Sequence, residues 1–66
     1  MDAKKLVVGE FYRDIDKPGI KLVYCGLVKE QPFIGQHTFD PADNGDYLGS
    51  ICTASEVEKY ISPFLS

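Results

Sequence analysis

The chain has 66 residues, which is one domain, residues 1–66, and no more. Ten acidic residues against seven basic ones give a net charge of −3, which speaks against a nucleic-acid footprint and against docking on an anionic membrane, both of which need clustered cations. No apolar run approaches the ~18 residues of a membrane span. A chain this short buries only about 60% of the surface its unfolded form exposes, so its stability is marginal unless something staples it.

Residues 1 to 5 read as a polar, frayed lead. Nothing in them resembles a secretory leader, and the Met1 start and compact length read as a whole cytoplasmic protein. In that setting Cys25 and Cys52 are expected as buried small hydrophobes, not as a disulfide. Leu6 to Arg13 reads as a first strand, with Gly9 marking a bulge or a close backbone approach. Asp14-Ile15-Asp16-Lys17-Pro18-Gly19 reads as a turn, in which Pro18 presets φ and Gly19 takes a positive φ.

Ile20 to Val28 is the longest apolar run and the expected central strand. Ile20, Leu22, Tyr24 and Val28 share one face; Val23, Cys25 and Leu27 share the other. A strand apolar on both faces is covered on both or curls around a core. Gly26 within it predicts a corner of a coiled sheet. Phe33 to Phe39 reads as a third strand. Asp40 to Asp46 is a loop with an Asn44-Gly45 turn signal, and Tyr47 to Cys52 is a fourth strand. The period then changes. Thr53 and Glu56 have capping-box spacing, Val57, Tyr60 and Ile61 follow at helical spacing, and Pro63 bars continuation. One or two helical turns are expected from about Ala54 to Tyr60 or Ile61, with Phe64 and Leu65 as a short closing strand or a plug at the barrel mouth.

This order, together with Val8-Gly9-Glu10-Phe11-Tyr12-Arg13 at the start and Asn44 to Ile51 followed by Thr53 to Tyr60 at the end, resembles the SH3-like small β-barrel superfamily. The resemblance implies a mainly β fold, a small barrel of four to five antiparallel strands with one short C-terminal helical turn. It also implies a binding domain, like the small accessory and inhibitor proteins of phages and mobile elements. The chain has no tryptophan, so the peptide groove of SH3 domains is incomplete. A four-stranded sheet with the helix on one face is the alternative architecture.

Few residues suggest chemistry. His37 is the only histidine; it has no His or Cys neighbour for a metal and no nucleophile beside it, which leaves a sheet-surface or interface residue. Cys52, just before the helix, is better placed than Cys25 for a reactive thiolate, but no base accompanies it. Asp40, Asp43, Asn44 and Asp46 make an acidic loop without EF-hand spacing. That loop, with Asp14, Asp16, Glu56 and Glu58, is a candidate acidic face. Some of the four tyrosines are expected to be exposed and to mark the working surface. The expectation is therefore a non-enzymatic module, with no cofactor and no metal, that binds another protein through Tyr12, His37, Asp43, Asp46 and Tyr47. A nucleic-acid-associated barrel using Lys4, Lys5, Arg13, Lys17, Lys21 and Lys29 is the second reading. A homo-oligomer that holds a small ligand between its subunits is the third.

Overall fold

The computed structural model describes residues 1–42 and 49–64. It is mainly β: five antiparallel strands in one sheet and one short helix. In chain order these are β1 (Phe11–Asp14), β2 (Lys17–Leu27), β3 (His37–Pro41), β4 (Ser50–Cys52), α1 (Ala54–Tyr60) and β5 (Ile61–Pro63). The spatial order is β4-β3-β2-β1-β5. The first four strands meander, and α1 then carries the chain from one sheet edge to the other, so that β5 pairs with β1.

The central strand is where the apolar run placed it, extended to Lys17. Leu22 and Tyr24 are buried on one face. The other face is not covered: Cys25 is exposed and Leu27 is 53% exposed. Beside Gly26 the β2–β3 register shifts, and its φ of +105° is a left-handed conformation that glycine adopts without strain at a bulge.

The hairpin before it turns earlier than Pro18-Gly19. Asp14 pairs with Lys17, which leaves Ile15 and Asp16 as the loop. The Asp14 carboxylate accepts from the Asp16 N–H at 2.8 Å, and the Ile15 N–H donates to the Tyr60 carbonyl at 2.8 Å. This local side-chain bond makes the turn on its own. Pro18 and Gly19 stay in β2, where the β1–β2 register shift absorbs them, and Gly19 takes no positive φ.

Three further expectations change. Strand β1 begins at Phe11, not Leu6, because Val7–Glu10 folds over as a turn closed by the Glu10 N–H on the Val7 carbonyl at 3.1 Å, and the Gly9 N–H reaches the Tyr24 carbonyl at 3.0 Å. Residues 1 to 5 are not frayed. Ala3–Lys5 is a single 3-10 turn capped by Asp2, and the Met1 ammonium donates at 3.1 Å to the carbonyls of Glu58 and Ile61. Those carbonyls lie at the C-terminal end of α1, where orphan acceptors and the negative dipole end attract a cation. Strand β3 begins at His37, because Phe33 to Gly35 form a turn closed by the Gln36 N–H on the Phe33 carbonyl.

The helix is as expected. Thr53 Oγ1 accepts from the Glu56 N–H at 3.2 Å, and Glu56 Oε1 accepts from the Thr53 N–H at 3.0 Å. β5 follows directly from Ile61, three residues earlier than the closing strand expected at Phe64 and Leu65.

The core is Tyr12, Leu22, Tyr24, Phe39, Val57 and Ile61. Its three aromatic rings pack edge-on or tilted, with centroids 5.3 to 6.5 Å apart, the arrangement ring quadrupoles favour. Tyr12 is therefore not an exposed aromatic. It is 4% exposed, and its hydroxyl accepts from the Val7 N–H at 2.9 Å. Tyr24 is also buried, with its hydroxyl 2.8 Å from His37 Nδ1. Each buried ring thus satisfies its polar end, which makes burial of a tyrosine tolerable.

Candidate functional site: an acidic cleft

One cleft gathers several of the acidic residues. It has a volume of about 350 Å³ and is lined by Asp14, Asp16, Ser50, Ile51, Cys52, Glu56 and Tyr60. Three local structures build it. The Asp-capped turn between β1 and β2 supplies Asp14 and Asp16, strand β4 supplies Ser50 to Cys52, and the first and last turns of α1 supply Glu56 and Tyr60. The Ile15–Tyr60 backbone bond holds the turn against the helix end.

The cleft is electrostatically negative, and Cys52 registers this. Its thiol pKa is raised, first by burial and then by the carboxylates of Glu56 and Asp14. Its place just before the helix therefore does not favour the thiolate: burial first, and then the two carboxylates, keep the thiol protonated. Glu56 has two tasks. One carboxylate oxygen closes the capping box, while the side chain lines the cleft. Tyr60 is half-buried, and Lys59 Nζ lies 5.2 Å from its ring centre.

The remaining candidates lie elsewhere. His37 is half-buried at the core rim, its Nδ1 engaged by the Tyr24 hydroxyl. Tyr12 is in the core, so the structure does not join it to His37 as a surface. Asp43, Asp46 and Tyr47 lie outside the described residues, as does the Asn44-Gly45 turn. Cys25 is exposed and not buried as expected; its Sγ donates to Asp40 Oδ2 at 3.3 Å. Its pKa is raised by desolvation and then by the Asp40 carboxylate. Both cysteines are free. Among the described residues no group of three or more His, Cys, Asp or Glu is placed to hold a metal, and no helix is long and apolar enough to cross a membrane.

Sequence reasoning named Asp14, Asp16 and Glu56, and the structure brings these three together; Glu58 is not in the cleft lining. It missed Tyr60, Ser50 and Ile51 as partners of the carboxylates. No local sequence signal places these three beside the carboxylates, because they come from β4 and the last turn of α1. No protein-family model, curated protein or solved structure matches the chain.

Proposed function

We propose that this protein is a non-enzymatic interaction module of the SH3-like small β-barrel type, acting in the cytoplasm, which binds a basic segment of another protein in the acidic cleft. The observation that carries this reading is the convergence of Asp14, Asp16 and Glu56 on one opening beside Tyr60 and Ile51. The barrel type is supported by the strand order, in which β5 returns beside β1 after a short helix. A binding role is favoured over catalysis because the titratable groups are poorly armed. Both thiols are held protonated, and the histidine is committed to a tyrosine hydroxyl.

Magnitudes decide what kind of ligand fits. An exposed ion pair contributes about 0.2–1 kcal/mol, so three carboxylates supply about 1–3 kcal/mol by that measure. Micromolar affinity requires about 8 kcal/mol. A single lysine or arginine is therefore too little, and the partner must be a longer segment that also packs against Tyr60 and Ile51 and along the exposed β4 edge. Arginine suits the site better than lysine, because its planar guanidinium meets two carboxylates at once and stacks on a ring.

The test is fluorescence anisotropy with a labelled arginine- and lysine-containing peptide, an acidic peptide of equal length and a single-stranded oligonucleotide. The basic peptide alone is expected to bind, more weakly in high salt, and not to bind the D14N/D16N/E56Q variant. Equal binding by that variant, or binding of the oligonucleotide alone, refutes the proposal.

A further inference from the structure

The sheet has a second face, opposite the core. Residues directly paired across antiparallel strands share a face. The pairs Tyr12–Leu22 and Tyr24–Phe39 point into the core. The alternating positions, Phe11 paired with Val23 and Val23 paired with Asp40, therefore lie on the other side. Lys21 joins them: its Nζ lies 4.9 Å from the centre of the Phe11 ring and 5.3 Å from that of Phe64. Phe11 is 45% exposed, and Val23 and Phe64 are half-buried. This apolar strip runs from Phe64, just past β5, across β1 and β2 and ends at the Asp40 carboxylate on β3.

We infer that this face docks a second copy of the chain, in a two-fold dimer that pairs Lys21 of each copy with Asp40 of the other. The first argument is charge. Lys21 and Val23 are neighbours on the same face of β2, and Asp40 sits directly across from Val23. An isologous interface apposes a patch to itself. A two-fold axis between Lys21 and Asp40 therefore makes the ion pair twice and packs apolar side chains around it. A purely basic partner meets repulsion from Lys21 and Arg13, which shares the face of Phe11, and a purely acidic one meets repulsion from Asp40. Nucleic acid fits poorly for the same reason: Lys21 and Arg13 are offset by Asp40 in a chain of net charge −3.

The second argument is stability. Among the described residues six apolar side chains form the buried core, with Met1, Ala3, Leu6, Ile20 and Cys52 partly buried against it. Both cysteines are free, and no metal-holding group exists among the described residues. Natural chains below about 70–80 residues supplement so small a core with disulfides, metals or self-association. Self-association is the one of these three that the exposed face itself supplies. Asp14 pairs with the core residue Ile61, so the acidic cleft opens away from this face. Both clefts stay open in the dimer, which becomes a bivalent binder whose avidity toward a repeated basic ligand exceeds that of one cleft. The dimer itself does not depend on the cleft's function.

The experiment is light scattering coupled to size exclusion on the full chain over a range of concentrations, with circular dichroism to verify folding. The native chain is expected at twice the monomer mass of 7.4 kDa. K21E and D40K are each expected to elute as monomers, because each places like charges across the axis. The double variant K21E/D40K is expected to restore the dimer. F11Q, at an exposed position, supplies a variant that removes apolar contact without touching either charge, and it is expected to be monomeric. A native chain at monomer mass throughout, or single charge reversals that leave the dimer intact, overturns the inference. So does a monomer that instead retains single-stranded oligonucleotide.

Discussion

Glu56 offers a clean separation of folding from binding, because its two tasks use different properties of the same carboxylate. The capping box needs an acceptor oxygen, 3.0 Å from the Thr53 N–H. The cleft needs the negative charge. Glu56→Gln keeps an acceptor and loses the charge, and glutamine is itself a capping-box residue. Its cost to stability is the interaction with the helix start alone, about 0.3–1 kcal/mol. Glu56→Ala loses the bond as well and costs about 1 kcal/mol more. In the cleft the two substitutions are equivalent, since both remove the charge that raises the Cys52 pKa. Urea denaturation gives the first comparison. The pH dependence of Cys52 alkylation, in a Cys25→Ser background, gives the second. Both variants are expected to shift the alkylation profile to lower pH, while burial and Asp14 leave it above that of a free thiol. An E56Q variant as unstable as E56A, or an unmoved Cys52 profile, refutes this reading of the cleft.

The core and the alkaline limit give further tests. Phe39→Ala, at a fully buried ring against Tyr12 and Tyr24, is expected to cost about 3–5 kcal/mol. That is comparable to what a core of this size supplies, so near-ultraviolet circular dichroism should show a largely unfolded chain; a cooperative melt near that of the native chain contradicts it. Gly49→Ala places a Cβ 2.7 Å from the Phe39 carbonyl oxygen at a φ of +91°. It is expected to lower the melting temperature by more than the positive φ alone, about 1–2 kcal/mol, accounts for; a smaller change shows that the strand gives way. Stability is expected to fall as pH rises past about 9. The folded chain holds the Cys25 and Cys52 protons, and above pH 10 that of Tyr24, more tightly than the ordinary values of 9.0 and 10.0 at which the unfolded chain releases them. Urea midpoints from pH 8 to 10.5 that stay level or rise contradict this sign.

The parts of the fold legible in the sequence are those fixed by local rules. The central strand from Ile20, the break in regular pairing at Gly26 and the Thr53–Glu56 capping box all follow from side-chain periodicity, glycine placement and spacing. What local rules could not decide was competition between neighbours. Pro18-Gly19 is a strong turn signal, yet the Asp14 carboxylate four residues before Pro18 closes the chain first. Phe33 and Ile34 have strand composition, but the turn around them leaves them 45% and 55% exposed. Tyr12 looked amphipathic enough for a surface, and only the Val7 N–H, brought over it by the turn before β1, explains why its hydroxyl can be buried. The cleft was half legible for the same reason. Its aspartates and glutamate were visible as charges, but their meeting depends on α1 crossing from β4 to the far edge of the sheet.

The most direct test of the central claim is a ¹⁵N heteronuclear NMR titration of the intact chain with the basic peptide. The account predicts saturable shifts at Asp14, Asp16, Ile51, Glu56 and Tyr60, weakened by salt and abolished in the D14N/D16N/E56Q variant, with the core amides of Leu22 and Phe39 unmoved. Shifts that instead centre on Phe11, Lys21 and Phe64, or a peptide that leaves the cleft amides in place, would contradict it.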